Sequence, residues 1–378
     1  MTAAHPRVVL DGHTDVKKAD GVTSLPLDDA IAGGLTAAVV AVRAGKLPTA
    51  ADGSAGVREH EEFYAAILRT VSESAGSAAI ATSPAAVREN TANGVFSYVL
   101  GFQNARPLRA LSDIERWIDR GVSVFDFGFI GNNQWAKSAR PYPHSSTPGD
   151  FVGLSELGEE AVQLLNERGV VVDIAQVSKE ARRQIAERSK APVVASHNGL
   201  RSLVGDADRT IADEEIKAVA AGGGLVNIVA FDGYLTARGS HPQVVADIRE
   251  LRERYGLPAY RSNADYYAVL DPETAEWDEE KFNAYSAEYH RRVRHDWPRS
   301  DVSKLVEAVE YVAQLVGIEH VGIATDMHHG GGINGWMDYT GTPNVTAALE
   351  AAFSPAEVDK VWGGNFLRVW EEAQTLAR

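Results

Sequence analysis

An α/β fold, a (β/α)8 barrel of the TIM type with a helical insertion between its seventh and eighth strands, is the architecture this sequence predicts. Three observations point to it. Eight short apolar runs recur along the 378 residues, at 7–12, 35–42, 97–103, 122–128, 170–175, 192–197, 224–229 and 320–325. Each is nearly continuous in its hydrophobicity, as strands buried on both faces of a parallel sheet are. Amphipathic segments with helix start and stop signals lie between them. No Gly-rich phosphate fingerprint follows the first run, which ranks a doubly wound open sheet second.

Taken in order, the connecting helices carry their own chemistry. The clearest is 155–168, where Leu157, Ala161, Leu164 and Leu165 share one face, Ser155 supplies the N-cap and Gly169 the stop. The same pattern recurs at 112–120, 179–189, 213–221 and 302–316, and two more helices are expected in 354–376. Residues 236–300 break the rhythm. Rich in Arg, Glu, Tyr and Trp, they read as a helical insertion within one domain spanning 1–378. Its basic group Arg291, Arg292, Arg294 and His295 reads as a solvated helix face.

Composition narrows the chemistry. With 37 Lys and Arg against 52 Asp and Glu, the formal charge is −15, and the dispersed basic residues argue against a nucleic-acid partner. Cys is absent, which removes disulfides, thiolate metal sites and Cys nucleophiles together. Any metal must be held by His and carboxylates. The start of the chain lacks a basic-then-apolar leader, and the apolar stretch at 31–42 is short and Gly-interrupted, so a cytoplasmic protein with no membrane partner is expected.

In a parallel barrel the reactive groups come from the C-terminal ends of strands. Those ends carry Asp11, His13 and Asp15 on strand one, Gln103 and Asn104 on strand three, Gln176 after strand five, His197 on strand six, and Asp326, His328 and His329 on strand eight. His and Asp arriving from three strands at one rim are what a metal-dependent hydrolase requires. The ion is gripped from several sides while one coordination position stays open. In His13-x-Asp15 residues i and i+2 point to one side and can chelate one ion.

The blocks DGHTDV at 11–16, GLSELGEEAVQLLNERGVVVDIAQVS at 153–178, APVVASHNGLRSL at 191–203, EHVGIATDM at 319–327 and GGNFLRVW at 363–370 resemble the membrane dipeptidase (renal dipeptidase-type) family of metallopeptidases in the amidohydrolase superfamily. The resemblance covers nearly the whole chain. It implies a barrel with a two-zinc site that hydrolyses dipeptides, often tolerating a D-residue on the C-terminal side, and a homodimer. His13 and Asp15 match the ligands of one metal and His197 a ligand of the other. Asp326 matches the aspartate that shuttles the proton, and Arg209 the arginine that holds the substrate carboxylate.

Three positions depart from that pattern. The bridging glutamate is Gln103, which leaves it a substrate-binding role; a histidine ligand of the second metal is Gln176; and a substrate-contacting histidine is Phe129. A neutral amide does not bridge two cations as a carboxylate does. One zinc, or another divalent metal, held by His13, Asp15 and Asp326 is therefore expected rather than two, with His328 and His329 in the HHGGG segment and His144 in RPYPHSS as additional candidates. The reading this favours is hydrolysis of a dipeptide or related small amide by a water whose pKa a metal lowers, with Asp326 as proton acceptor. Two alternatives are a barrel repurposed for an amino-acid-derived biosynthetic intermediate and a metal-free binding protein.

Overall fold

A computed structural model describes residues 6–19, 22–44, 54–129, 131–140, 150–205, 209–237, 240–258, 274, 277–292 and 298–377. Eight parallel strands follow one another in space in chain order: β1 (Leu10–Thr14), β2 (Ala37–Arg43), β3 (Phe96–Gln103), β4 (Val122–Asp126), β5 (Val171–Asp173), β6 (Val194–Leu200), β7 (Leu225–Val229) and β8 (Val321–Ala324). Each falls on one of the eight apolar runs. All are buried along their length except at Arg43, which is why they read as continuous rather than alternating.

The barrel closes at its C-terminal rim. Asp326 N donates to His13 O (2.9 Å) and Asp15 N to Met327 O (3.3 Å), joining the end of β1 to the residues just past β8. Side chains reinforce this seam. Asp11 Oδ1 accepts from Thr325 N (2.9 Å) and Asp11 Oδ2 accepts from Thr325 Oγ1, while Tyr339 Oη stands 2.6 Å from Thr14 Oγ1. A Cβ at Gly12 would lie 2.2 Å from Asn227 Nδ2 and 2.8 Å from Ile323 O. Only glycine allows β1, β7 and β8 to approach this closely.

The opposite end is plugged by the C-terminal helix. Phe366, Leu367 and Trp370 pack on Leu10, Ala37, Val39, Val99, Val124, Val171, Val194 and Leu225 near the N-terminal ends of the strands, leaving the other rim for chemistry. The two helices expected in 354–376 run on as one: Pro355–Asp359 and Asn365–Leu376 are joined through a π turn at Lys360–Gly364. The helix at 155–168 is present as Glu156–Glu167, with Ser155 Oγ accepting from Gly158 N (3.0 Å).

Helices Pro242–Arg254 and Glu279–Arg291 lie between β7 and β8, and the insertion has an apolar cluster of its own built on Val244, Ile248, Leu251, Tyr285 and Tyr289. Of its basic group, Arg292 pairs with Glu250 (2.5 Å) and Glu288 (3.0 Å). Arg294 and His295 lie outside the described residues. Among the described residues no helix is long and apolar enough to cross a membrane.

Candidate metal centre

The rim opposite the C-terminal helix gathers the predicted residues into two halves. In the first, Asp15 from the end of β1 and Asp326 from the end of β8 are both buried. The chain then turns sharply, with Asp326 at φ 49° and His328 at φ 71°. Gly331 lets the turn fold back, since a Cβ there would lie 2.0 Å from Thr325 O. His329 is thereby returned to the carboxylates: its Nδ1 stands 3.2 Å from Asp15 Oδ2 and 3.8 Å from Asp326 Oδ1. His328 goes elsewhere, its ring lying edge-on to Tyr339 at 6.0 Å. His144 lies outside the described residues.

His13 adjoins this half. Its Nε2 is 4.0 Å from Asp326 Oδ1, and its ring stacks on that of His197 at 3.8 Å with 12° between planes. Burial, followed by the charges of Arg209 and Arg43, holds the His13 imidazole down at about 3, so it is neutral. Asp15 is pushed up to about 6 by burial, against the opposing pull of Arg43. Burial and the charge of Asp15 raise Asp326 well above the usual carboxylate range.

The second half centres on His197, and here every ring nitrogen is taken. Gln176 Nε2 donates to His197 Nε2 at 2.8 Å, and Gln103 Nε2 stands 3.4 Å from the same atom. On the other side His197 Nδ1 donates to Ser196 Oγ (2.6 Å), which in turn donates to Asp173 Oδ2. This chain assigns the Nδ1-protonated neutral tautomer. His13, Asp173 and His197 also come within ligand distance of one another, yet Asp173 already accepts from Ala175 N (3.0 Å), Ser196 N (3.1 Å) and Ser196 Oγ. Asp126 sets Gln176 in place by accepting from its backbone N–H at 3.0 Å.

Several residues differ from expectation in what they touch. Arg209 is buried, and its Nη1 and Nη2 donate to Ala175 O and His197 O (2.9 Å for the latter). Both arms of its fork thus tie β5 and β6 together instead of facing outward to a carboxylate. Phe129 packs its ring 5.5 Å from that of His329 and 5.8 Å from the Arg43 guanidinium. Trp135 and Trp336 are fully buried, with Nε1 bonded to Ala105 O and Thr342 Oγ1, and they serve packing.

Four participants were not among the candidate site residues drawn from the sequence. Arg43, at the end of an otherwise apolar strand, brings Nε to 2.8 Å from Asp15 Oδ2. Asp173 and Ser196 stand behind His197. Arg140 adds its charge to those of Arg209 and Arg43 at Asp326. A weak signal existed for Arg43 alone, as a cation closing the apolar run of β2 at the catalytic rim.

Whether a cation suits these residues can be tested on their unsatisfied atoms. Oδ1 of Asp15 and Oδ1 of Asp326 are buried with no hydrogen-bond partner, although buried carboxylate oxygens are rarely left so; Oδ2 of Asp15 meets the Arg43 guanidinium and the His329 ring. Asp15, Asp326 and His329 present ligand atoms that all lie within 4.8 Å of one another. Oxygen and imidazole donors in this number fit zinc or a similar divalent ion.

A model of the membrane dipeptidase family, peptidase family M19, matches residues 12–378. The chain belongs to that family. As an M19 member it resembles the crystal structure of the probable dipeptidase PvdM from Pseudomonas aeruginosa, with a TM-score of 0.89 and 34% identity over 98% of this chain and 96% of that one. Dipeptidase tcpJ of Claviceps purpurea (strain 20.1) is 24% identical over 291 residues, 75% of this chain and 53% of its own length. Dipeptidase 3 of Macaca fascicularis is 29% identical over 126 residues, 33% of this chain and 25% of its own. The matched region thus spans about half or less of these curated relatives.

Proposed function

We propose that this M19 protein is a divalent-cation-dependent hydrolase that cleaves a dipeptide or a related small amide. The observation that carries the reading is the pair Asp15 and Asp326, buried at the catalytic rim with oxygens that have no hydrogen-bond partner. Arg43 meets one oxygen of Asp15, and burying the second carboxylate beside it is costly unless a further cation joins them. A zinc-like ion held by them supplies Lewis acidity and a lowered pKa for water at the site.

The chain's own groups divide the remaining work. Asp326 takes the proton of the attacking water and returns it to the departing amine. Arg43, Arg140 and Arg209 make the surroundings of that carboxylate positive, which favours a substrate bearing a carboxylate. With both arms of Arg209 bonded to backbone carbonyls, its contribution to substrate is charge, and its hydrogen bonds position His197. Hydrolysis of L-Ala-D-Ala-like dipeptides should rise on adding zinc or manganese and vanish in Asp326→Asn. No stimulation by any divalent ion would reject the reading.

A second reading has an observation of its own. Gln103 and Gln176 converge on one atom, His197 Nε2, as they would in a barrel adapted to a different reaction on an amino-acid-derived intermediate. That reading expects saturable binding of a carboxylate-bearing ligand with no turnover of any simple dipeptide.

A further inference from the structure

We infer that His329 is the third protein ligand of a single cation held with Asp15 and Asp326, and that Gln103 and Gln176 close the second ion's place by occupying His197. The assignment rests on the cation-dependent reading above and adds to it which residues hold the ion and how many ions there are.

The distances support it. Two ligand atoms each about 2.1 Å from a tetrahedral ion stand about 3.4 Å apart. His329 Nδ1 lies 3.2 Å from Asp15 Oδ2 and 3.8 Å from Asp326 Oδ1, bracketing that spacing. Oδ1 of Asp15 and Oδ1 of Asp326, both buried without a hydrogen-bond partner, point to the same ligand, while Oδ2 of Asp15 faces Arg43 Nε at 2.8 Å. Across the site His197 Nε2 accepts from Gln176 at 2.8 Å while Nδ1 is bonded to Ser196. An ion there would have to break the Gln176 bond and would find an amide, not an anion, at position 103.

The three departures from the family pattern then form one rearrangement. Two of them, Gln103 and Gln176, meet on His197 and remove it from ligation. The third, Phe129, packs on the ring of His329 and on Arg43, the groups that flank Asp15. Loss of a ligand on one side of the rim accompanies a packed support for a new one on the other.

The absence of Cys permits a direct test, because His329→Cys creates the protein's only thiolate. Purified wild-type protein, His329→Ala and His329→Cys are titrated with Co2+ and followed by visible and near-ultraviolet absorption, with cation content by elemental analysis. We expect one Co2+ per chain in the wild type and about 100-fold weaker binding in His329→Ala. His329→Cys should gain a thiolate-to-cobalt charge-transfer band that the wild type lacks. Wild-type binding of one ion, with His329→Ala unchanged and no new band in His329→Cys, would overturn the assignment while leaving the hydrolase reading standing. Two ions in the wild type would overturn the closure of the second place. No ion bound by the wild type would overturn both this assignment and the function proposed above.

Discussion

The two halves of the rim are built from the same residue types and are in opposite states. Around Asp15, Asp326 and His329 one oxygen of each carboxylate, Oδ1, is buried without a hydrogen-bond partner. Around His197 both ring nitrogens are bonded, through Gln176 on one face and through Ser196 to Asp173 on the other. A potential ligand is thus not defined by being His or Asp at a strand end. What matters is whether its donor atom is already engaged, since displacing a buried hydrogen bond costs the partner its satisfaction.

That contrast can be broken most severely at Asp326. Asp326→Asn keeps the shape and removes the proton acceptor, and kcat/KM for a dipeptide substrate at saturating zinc should fall about 10³-fold; a loss under tenfold would place the proton elsewhere. The opposite change, Gln103→Glu with Gln176→His, should open the closed half. Elemental analysis should then find two ions per chain in place of one, and an unchanged count would mean that more than these two side chains keeps His197 from an ion.

Acid should also act on the support beneath the closed half. His60 is buried with Nε2 3.0 Å from Gln103 O, and burial holds it down at about 4. Its unfolded value is about 6.5, so the unfolded chain binds the extra proton first. Stability is unaffected above pH 6.5 and falls as pH drops through the window from 6.5 to 4, by on the order of 3 kcal/mol for this group. Urea unfolding of cation-free protein at pH 7 and pH 5 checks this, and His60→Gln should show a shallower dependence. The smallest effect is expected from Ser196→Ala, which leaves His197 Nδ1 and Asp173 without their bridge. A loss of about 1–2 kcal/mol in unfolding free energy, with Co2+ affinity unchanged, fits a His197 that is no ligand, whereas a tenfold weaker Co2+ affinity would restore it to the metal.

The strands were legible because burial on both faces erases alternation, so each apolar run maps onto one of β1–β8. The join between Pro355–Asp359 and Asn365–Leu376 was not, because the paired glycines Gly363 and Gly364, which suggest a break, sit inside a π turn that keeps the chain helical. At the site, His13, Asp15, His197 and Asp326 could be placed at the rim from strand ends alone. Their division into two halves could not, since it depends on long-range contacts such as Gln176 to His197 and Arg43 to Asp15. Arg209 shows the limit most plainly: its residue type suits a carboxylate clamp, yet its fork binds the backbone of Ala175 and His197.

The seam where β1 meets β8 has a consequence for how the molecule comes apart. Its backbone bonds run from Asp326 N to His13 O and from Asp15 N to Met327 O, so the residues that close the cylinder are the ones that bear or flank the reactive carboxylates. A slit opening along this line would separate Asp15 from Asp326 while the other seven strand junctions stayed intact. Amide protons of Asp15 and Asp326 would then exchange with solvent sooner than those along β2 and β3, and an ion bridging the two carboxylates would act as a clasp, slowing both together.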